Sequence, residues 1–319
     1  MGTPEFGAKV LESLLTKHEV VLVITQPDKF VGRKREIVFS PVKKLALEKG
    51  LDILQPIKIK DCEDEVLKYD FDIIVTAAFG QFVGSRLLNH PKYKAVNVHG
   101  SLLPKYRGGA PIQRAIMNGE KETGITIMYM AKKMDAGDML SRQIVPIDDS
   151  DNSDSLFQKL AVVGSQMILK TLDDIENGNI NPVKQNEEEA TYAYNLTKED
   201  ELIDFNEDSL SIFNKIRGLS TNPGAYFVIE NEVYKVYSSK LSNLKHNTEA
   251  GIIVDVGKNE FSIACKDGST ITFDEIKPEG KKLMKVSEFL NGRGKNIITK
   301  NRRVLWHQKY SSQEKKCLN

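Results

Sequence analysis

The sequence has little cysteine and no long apolar run. Its three cysteines, Cys62, Cys265 and Cys317, lie far apart and show no Cys-x-x-Cys or Cys/His ligand spacing. This argues against a disulfide framework and against a structural zinc site. No apolar stretch reaches the roughly 18 residues that a membrane helix needs, and no basic-then-apolar leader opens the chain. A globular cytoplasmic protein with no membrane partner is expected.

Two nucleotide-binding patterns are also missing. The chain has no Gly-x-Gly-x-x-Gly after a predicted strand and no Gly-x-x-x-x-Gly-Lys. In many α/β proteins, loops with these patterns bind the phosphates of dinucleotides or nucleoside triphosphates. An α/β fold in this chain is therefore not predicted to bind a dinucleotide or a nucleoside triphosphate.

The net charge of the whole chain is close to zero, but positive and negative residues are unevenly distributed along it. The 45 Lys and Arg residues are balanced by 44 Asp and Glu residues, which leaves +1. Residues 29–44 hold six Lys/Arg and one Glu, residues 276–319 hold twelve and three, and residues 61–196 carry −6. One charge run is commonly just a solvated surface, whereas two basic stretches in one chain favour a polyanionic partner.

The amino-terminal part alternates between short β-branched runs and helical stretches. Buried strands are predicted at 20–25, 72–76 and 95–98 because these runs are nearly continuously apolar and end in loop residues. Ser40 followed by Pro41 predicts a helix start, and Gly50 predicts its end. This alternation predicts an α/β domain, mostly parallel in its sheet, with helices on both faces.

The carboxyl-terminal part has a different pattern. Short strands separated by turn residues are predicted at 225–229, 233–238, 252–256, 261–265 and 270–273. Five such strands suggest a small β-barrel or sandwich. We predict a catalytic domain at 1–178, a linker at 179–200, where periodicity is lost, and a β-barrel domain at 201–319.

The densest group of reactive side chains comes where a predicted strand ends. Asn97 and His99 are two residues apart, so they share one face of that strand, at the edge where α/β sheets bind ligands. An amide and an imidazole can both donate to an oxygen that gains charge in a tetrahedral intermediate. Asp135 follows in a glycine-containing loop, and a carboxylate near the histidine would favour its protonation or accept a proton.

Several motifs carry a family resemblance, and together they span essentially the whole chain. They resemble, in order and spacing, those of the methionyl-tRNA formyltransferases, within the wider formyltetrahydrofolate-dependent formyltransferase family. The motifs are Gly2-Thr3-Pro4-Glu5-Phe6, Gln26-Pro27-Asp28 with Gly32-Arg33, Asn97-Val98-His99-Gly100-Ser101-Leu102-Leu103-Pro104, Arg107-Gly108-Gly109-Ala110-Pro111-Ile112 and Asp135-Ala136-Gly137-Asp138.

The resemblance implies a Rossmann-like formyltransferase domain followed by an OB-like β-barrel, and a monomer. It implies transfer of a formyl group from 10-formyltetrahydrofolate to the α-amine of initiator methionyl-tRNA, without a metal. By position, the implied catalytic residues are Asn97, His99 and Asp135. The implied folate-binding residues are Ser101, Leu102, Leu103 and Pro104.

The two basic stretches are the implied tRNA-binding regions. A loop would enter the acceptor end, with Arg33 discriminating the initiator, while the carboxyl-terminal residues would hold the tRNA backbone. The implied contacts are Lys29, Arg33, Lys34, Arg35, Lys281, Lys282, Arg302 and Arg303.

Three alternatives remain open at this point. The motifs with Asn97, His99 and Asp135 also fit a sugar-nucleotide N-formyltransferase or the hydrolase module of formyltetrahydrofolate dehydrogenase. A catalytically silent RNA-binding protein is the third alternative. The basic stretches favour an RNA as the formyl acceptor over a nucleotide sugar or water. The presence of Asn97, His99 and Asp135 together argues against a catalytically silent protein.

The amino terminus carries one more expectation. In the resembled enzymes an apolar first strand precedes the Gly-Thr-Pro motif, and here only Met1 does. That strand lies in the middle of the sheet, so without it neighbouring strands would keep unpaired backbone groups. We expect Met1 to be an internal methionine at the end of this strand.

Overall fold

The chain forms two compact units. A computed structural model describes residues 1–32 and 36–305. Among these residues, the first unit contains those of 1–112, 121–148 and 155–195, and the second contains 113–120, 149–154 and 196–305. Within the described ranges, no helix has both the length and the apolarity needed to cross a membrane.

Helices and short strands alternate along the first part of the chain. A single 3-10 turn, Ile59–Cys62, leads into α3. In chain order the elements are α1 (Glu5–Leu14), β1 (Val23–Ile24), β2 (Lys29–Val31), β3 (Glu36–Val38), α2 (Pro41–Glu48), β4 (Ile53–Leu54), α3 (Glu63–Val66), β5 (Ile74–Thr76), α4 (Ser85–Asn89), β6 (Ala95–His99), α5 (Pro111–Met117), β7 (Glu122–Tyr129), β8 (Met139–Pro146) and α6 (Ser153–Glu176).

Parallel pairing involves the three predicted buried strands, which occur as β1, β5 and β6, and β4, which was not predicted. Strand β1 pairs with β4, and β5 pairs with β6, both in parallel. Strands β7 and β8 then continue from β6 in antiparallel order, and β2 pairs with β3 as a separate antiparallel hairpin. The predicted α/β class is confirmed, with β7 and β8 as an antiparallel extension.

Local sequence explains both ends of α2. The Ser40 hydroxyl accepts a hydrogen bond from the Lys43 backbone N–H at 3.0 Å, and Pro41 stands at the first helical position. Gly50, just past the helix, has a φ of +66°, which glycine adopts without a Cβ clash. The predicted start and end of this helix are confirmed.

Met1 and Gly2 lie between β1 and β5. The Met1 nitrogen donates to the Val75 carbonyl at 2.8 Å, the Ala77 N–H donates to the Met1 carbonyl, and the Gly2 N–H donates to the Ile24 carbonyl. Next to Met1 lies a groove of about 460 Å³ between β1 and β5. The groove is lined by residues of 18–24, 70–75 and helix α1, among others.

The second unit is built on one antiparallel sheet. Its strands run in the order β11-β12-β13-β10-β9, with β14 paired to β13. The elements are α7 (Lys198–Glu201), α8 (Ser209–Leu219), β9 (Ala225–Ile229), β10 (Glu232–Ser242), β11 (Ile253–Val256), β12 (Phe261–Ala264), β13 (Thr270–Pro278), β14 (Met284–Lys285), α9 (Val286–Asn291) and α10 (Gly294–Ile297). All five predicted strands occur, and β14 was not predicted.

The sheet of the second unit curls until its edges are bridged. Arg303 pairs with Ile252 beside β11, and Leu305 pairs with Val228 of β9. A ring of aromatic side chains fills the interior, where Phe227 is fully buried and its ring centroid lies 5.6 Å from that of Phe273. A curled sheet around an apolar core is what the predicted β-barrel requires.

The segment at 179–200 has backbone partners of its own. Val183 exchanges two hydrogen bonds with Met139, and Tyr192 pairs with Arg107. A short 3-10 helix covers Glu187–Glu189, and residues up to Asn195 belong to the first unit. The domain limits proposed from the sequence stay predictions.

Candidate active site

Asn97 is the middle residue of β6 and lies beside Thr76, the last residue of β5. The register pairs Thr76 with Asn97, and the buried Thr76 hydroxyl donates to Asn97 Oδ1 at 2.8 Å. With its carbonyl oxygen engaged, the Asn97 amide presents Nδ2 as a donor. The sheet thus supplies an oriented amide N–H beside the end of β5, where ligands of α/β sheets bind.

His99 is the last residue of β6 and is 5% exposed. Its Nε2 lies 3.0 Å from the Tyr106 carbonyl oxygen. A carbonyl oxygen only accepts, so Nε2 carries the proton and donates this hydrogen bond. The other ring nitrogen, Nδ1, lies 3.8 Å from Asp135 Oδ2, and it is the nitrogen that can take up or release a proton.

Asp135 stands in the loop between β7 and β8. It has a φ of +48°, and its Oδ2 accepts from the Gly108 backbone N–H at 2.8 Å. A Cβ on Gly137 would lie 1.8 Å from the Tyr129 carbonyl oxygen, so the loop can turn this tightly only with glycine there. The structure therefore brings His99 and Asp135 together from sequence positions 36 residues apart.

A buried arginine, Arg107, is hydrogen-bonded to the residue that holds this loop. Arg107 has no exposed surface, its Nε donates to Gln185 Oε1 at 2.9 Å, and its two Nη atoms donate to the Glu187 carboxylate. Gln185 Nε2 in turn donates to the carbonyl oxygens of Asp135 and Gly137, each at 2.8 Å. A continuous hydrogen-bonded chain thus runs from Glu187 to the backbone of Asp135.

The charge on Glu187 is strongly favoured. Its hydrogen bonds with Arg107 and then with Lys133 lower the pKa of this carboxyl to about 2. Its side chain remains 55% exposed, so water screens part of this interaction. Arg107 appears in a sequence motif without an assigned role and Gln185 falls in the predicted linker, so sequence reasoning missed both.

The predicted folate-binding segment is mostly inward-facing. Leu103 and Pro104 are buried, and the Ser101 hydroxyl donates to the Lys105 carbonyl at 2.7 Å. Leu102 is partly exposed. Ser101 therefore supports the turn after β6, and Leu102 has the most accessible side chain of the four.

The predicted tRNA-binding residues lie on two separate parts of the chain. Lys29 is exposed on β2, and Lys281 and Lys282 are exposed in the turn between β13 and β14. Arg302 pairs with Glu230 at 3.1 Å and Arg303 pairs with Glu249. The remaining candidates, Arg33, Lys34 and Arg35, lie outside the described residues.

The described part of the chain holds no group of three or more His, Cys, Asp and Glu side chains that could bind a metal ion. The two cysteines of the described ranges are both free thiols, and Cys317 lies outside those ranges. Cys62 is half-buried and Cys265 is buried, and burial raises the pKa of Cys265 to about 12. A thiol with such a high pKa is a poor nucleophile at neutral pH.

Two family models match the chain. The formyl transferase model covers residues 1–172, and the model of the formyl transferase carboxyl-terminal domain covers 195–294. The first match contains Asn97, His99 and Asp135, and the second contains most of the curled sheet. The fold is that of the formyl transferase class.

Curated relatives define the group more narrowly. The chain is 44% identical to the methionyl-tRNA formyltransferase of Pediococcus pentosaceus, over 93% of this chain and 94% of the relative. It is 48% identical to that of Mycoplasma capricolum, over 90% and 92%, and 45% identical to that of Staphylococcus epidermidis, over 94% and 97%. The chain therefore belongs to the methionyl-tRNA formyltransferase family.

Solved structures show the same fold at lower identity. An N-formyltransferase from Helicobacter canadensis, crystallised with folinic acid and dTDP-3-aminofucose, superposes with a TM-score of 0.66 at 22% identity, covering 85% of this chain and 96% of that one. The sugar 3N-formyl transferase WlaRD has a TM-score of 0.63 at 23% identity, covering 88% and 97%. These likenesses show the shared architecture.

Proposed function

We propose that this chain transfers the formyl group of 10-formyltetrahydrofolate to the α-amine of initiator methionyl-tRNA. The observation that carries the proposal is the contact between His99 Nδ1 and Asp135, beside the oriented amide of Asn97, in a chain of this family. An amide donor, an imidazole and a carboxylate are the groups that an acyl transfer to an amine uses.

Asn97 stabilises the developing negative charge. The neutral amine attacks the formyl carbon, and the carbonyl oxygen becomes an oxyanion in the tetrahedral intermediate. Because the Thr76 hydroxyl holds Asn97 Oδ1, the Nδ2 donor is fixed before substrate binds. A preorganised donor of this kind stabilises a transition state without reorganisation cost.

His99 and Asp135 handle protons. The Tyr106 carbonyl holds Nε2–H, so Nδ1 is the nitrogen that donates to the oxyanion when His99 is protonated. The Asp135 carboxylate, 3.8 Å from Nδ1, accepts the proton that the attacking amine loses. As the carbon–nitrogen bond to the folate breaks, protonated His99 helps deliver a proton to the leaving nitrogen.

The two substrates use different surfaces. On the folate side, Leu102 offers an apolar side chain next to the strand end, and Ser101, Leu103 and Pro104 shape the turn that carries it. The absence of a triphosphate loop in the sequence fits a pterin ligand of this kind. The folate side therefore depends on shape and apolar contact.

The tRNA side depends on charge. Lys29, Arg33, Lys34 and Arg35 follow the acceptor end, while Lys281, Lys282, Arg302 and Arg303 contact phosphates elsewhere. Arg302 and Arg303 must exchange Glu230 and Glu249 for phosphate oxygens, so their net gain is smaller than that of the two lysines. A cytoplasmic monomer is part of the same proposal.

One assay with the purified full chain tests the function. The protein is incubated with 10-formyltetrahydrofolate and either initiator methionyl-tRNA, a dTDP-amino sugar, or no acceptor. The proposal expects formylmethionyl-tRNA in the first reaction and no formyl transfer or release of formate in the others. Formylation of the amino sugar would favour a sugar N-formyltransferase, and release of formate without an acceptor would favour a hydrolase. The proposal would be overturned if one of these two reactions occurred and no formylmethionyl-tRNA formed.

A further inference from the structure

Two tyrosine rings stand exposed on the segment that follows Glu187. Tyr192 is 43% exposed and Tyr194 is 63% exposed. Their ring centroids are 5.6 Å apart and their planes differ by 6°, so the rings are stacked on each other. Together they present a flat aromatic surface to solvent, which we call the tyrosine platform.

The platform is held in place by the loop beside the reacting groups. The Ala193 N–H donates to the Arg107 carbonyl at 2.7 Å, and the Arg107 N–H donates to the Thr191 carbonyl at 2.9 Å. The backbone that carries both rings is therefore held before a partner binds, which lowers the entropy cost of binding.

The platform is close to the proposed site of transfer. Tyr192 pairs with Arg107, and paired residues on adjacent strands have Cα atoms about 5 Å apart. The next residue, Gly108, donates its N–H to Asp135 Oδ2. A substrate group that lies beside the Asp135 carboxylate therefore has its neighbouring parts within reach of the two rings.

The chemistry of the acceptor supplies the matching group. The reacting amine belongs to an amino acid esterified to the terminal ribose of an RNA, so one nucleobase must lie a short distance from the formyl carbon. Bases at an unpaired RNA end bind proteins by stacking on aromatic side chains. We propose that the tyrosine platform stacks the 3′-terminal base of the acceptor, an inference that rests on the proposed function.

The test changes the platform and the base together. Tyr194→Leu removes the more exposed ring, Tyr194→Phe keeps it, and Tyr69→Leu is a matched control because Tyr69 hydrogen-bonds Asp52 in another part of the chain. Each protein is assayed with initiator methionyl-tRNA and with the same tRNA carrying an abasic 3′-terminal nucleotide. The readouts are kcat/KM for each tRNA and KM for 10-formyltetrahydrofolate.

Stacking predicts a coupled result. Tyr194→Leu should lower kcat/KM for methionyl-tRNA roughly tenfold or more, the usual value of one base stack, and should cause no further loss with the abasic tRNA. Tyr194→Phe and Tyr69→Leu should match the unmodified chain. Equal losses on both tRNAs, or no loss on either, would overturn the inference, and a raised KM for 10-formyltetrahydrofolate would assign the rings to folate instead.

A fluorescence measurement keeps the inference testable if Tyr194→Leu does not fold. The terminal adenine of the tRNA is replaced by 2-aminopurine, whose emission is quenched by stacking. Quenching on binding to the unmodified chain and to Tyr194→Phe supports the platform, and unchanged emission of a bound tRNA contradicts it. Failure of the unmodified chain to formylate methionyl-tRNA would instead count against the proposed function, so the two failures are distinguishable.

Discussion

The two units differ in which buried side chains carry their role: polar groups at the proposed site of the first unit and aromatic rings in the core of the second, although the second unit also buries the hydrogen-bonded pair Arg217 and Asn214. The first unit buries polar groups that belong to loops and strand ends, such as Arg107, His99 and Ser101, and satisfies them with hydrogen bonds. The core of the second unit is dominated by apolar and aromatic side chains, with Phe227 in contact distance of several other rings. Buried polar networks specify geometry, whereas buried rings supply free energy of unfolding. The comparison predicts that substitutions in the first unit change catalysis and those in the second change stability.

His99→Ala is expected to have the largest effect, and the effect should be on catalysis. Loss of a group that moves protons lowers kcat by roughly a hundredfold to ten-thousandfold. His90→Ala is the matched control, because His90 is exposed and packs only loosely at 5.6 Å from the Phe71 ring. Initial rates and thermal melts of both variants check the prediction. Near-normal turnover in a folded His99→Ala would contradict it.

Phe227→Ala should show the opposite pattern in the second unit. The Phe227 ring is fully buried and lies 5.6 to 6.4 Å from four other aromatic rings. Truncation leaves a cavity, so the free energy of unfolding should fall by about 3–5 kcal/mol. Denaturant unfolding measures the change, with Phe82→Ala as control because Phe82 is 64% exposed. If Phe227→Ala lowered the free energy of unfolding no more than Phe82→Ala does, the proposed difference between the two units would be contradicted.

Gln185→Leu tests whether the polar network of the first unit positions the reacting groups. The change removes the donor that holds the carbonyls of Asp135 and Gly137, and the acceptor that holds Arg107 Nε. A misplaced Asp135 should lower kcat by roughly tenfold to a hundredfold while leaving KM for 10-formyltetrahydrofolate within about twofold.

The control for this variant is Gln143→Leu, since Gln143 is exposed on β8. A second comparison uses Gln185→Glu, which keeps the acceptor but loses the donor. If the donor to the Asp135 loop is what matters, both Gln185 variants should lower kcat. Normal kcat in Gln185→Glu would show that only the contact with Arg107 is needed.

The smallest expected effect concerns Glu187 and pH. Its pKa is near 2 when folded and about 4.3 when unfolded, so its contribution to stability is complete above the unfolded pKa and is lost as pH falls toward 2. The melting temperature of the unmodified chain should therefore fall more steeply between pH 5 and pH 3 than that of Glu187→Gln. Parallel melting curves across this range would contradict the account.

The sequence predicted the secondary structure better than the support of the site. Apolar runs and caps identified α2 and β6 because these signals are local, and Asn97, His99 and Asp135 stand in recognisable motifs. The β9–β13 strands were found for the same reason. What the sequence did not indicate is long-range: Gln185 reaches back 50 residues to hold Asp135. A glutamine in a segment without periodicity carries no local signal of such a role.

Burial was also hard to predict. The Ser101 hydroxyl is engaged by the turn itself, through the Lys105 carbonyl, while its predicted place on the folate side stays a prediction. Arg107 carries a full charge yet has no exposed surface, because Glu187 and Gln185 satisfy its donors from a segment about 80 residues later. Such burial depends on partners that meet only after folding.

A double-mutant cycle on His99 and Asp135 tests most directly whether these two side chains act together in formyl transfer. The single-turnover rate of formyl transfer to initiator methionyl-tRNA is measured for the unmodified chain, His99→Ala, Asp135→Asn and the double variant. If the two side chains act as one unit, as their 3.8 Å contact predicts, the double variant should be about as slow as His99→Ala alone. Losses that multiply, or rates that stay near normal, would contradict the shared role.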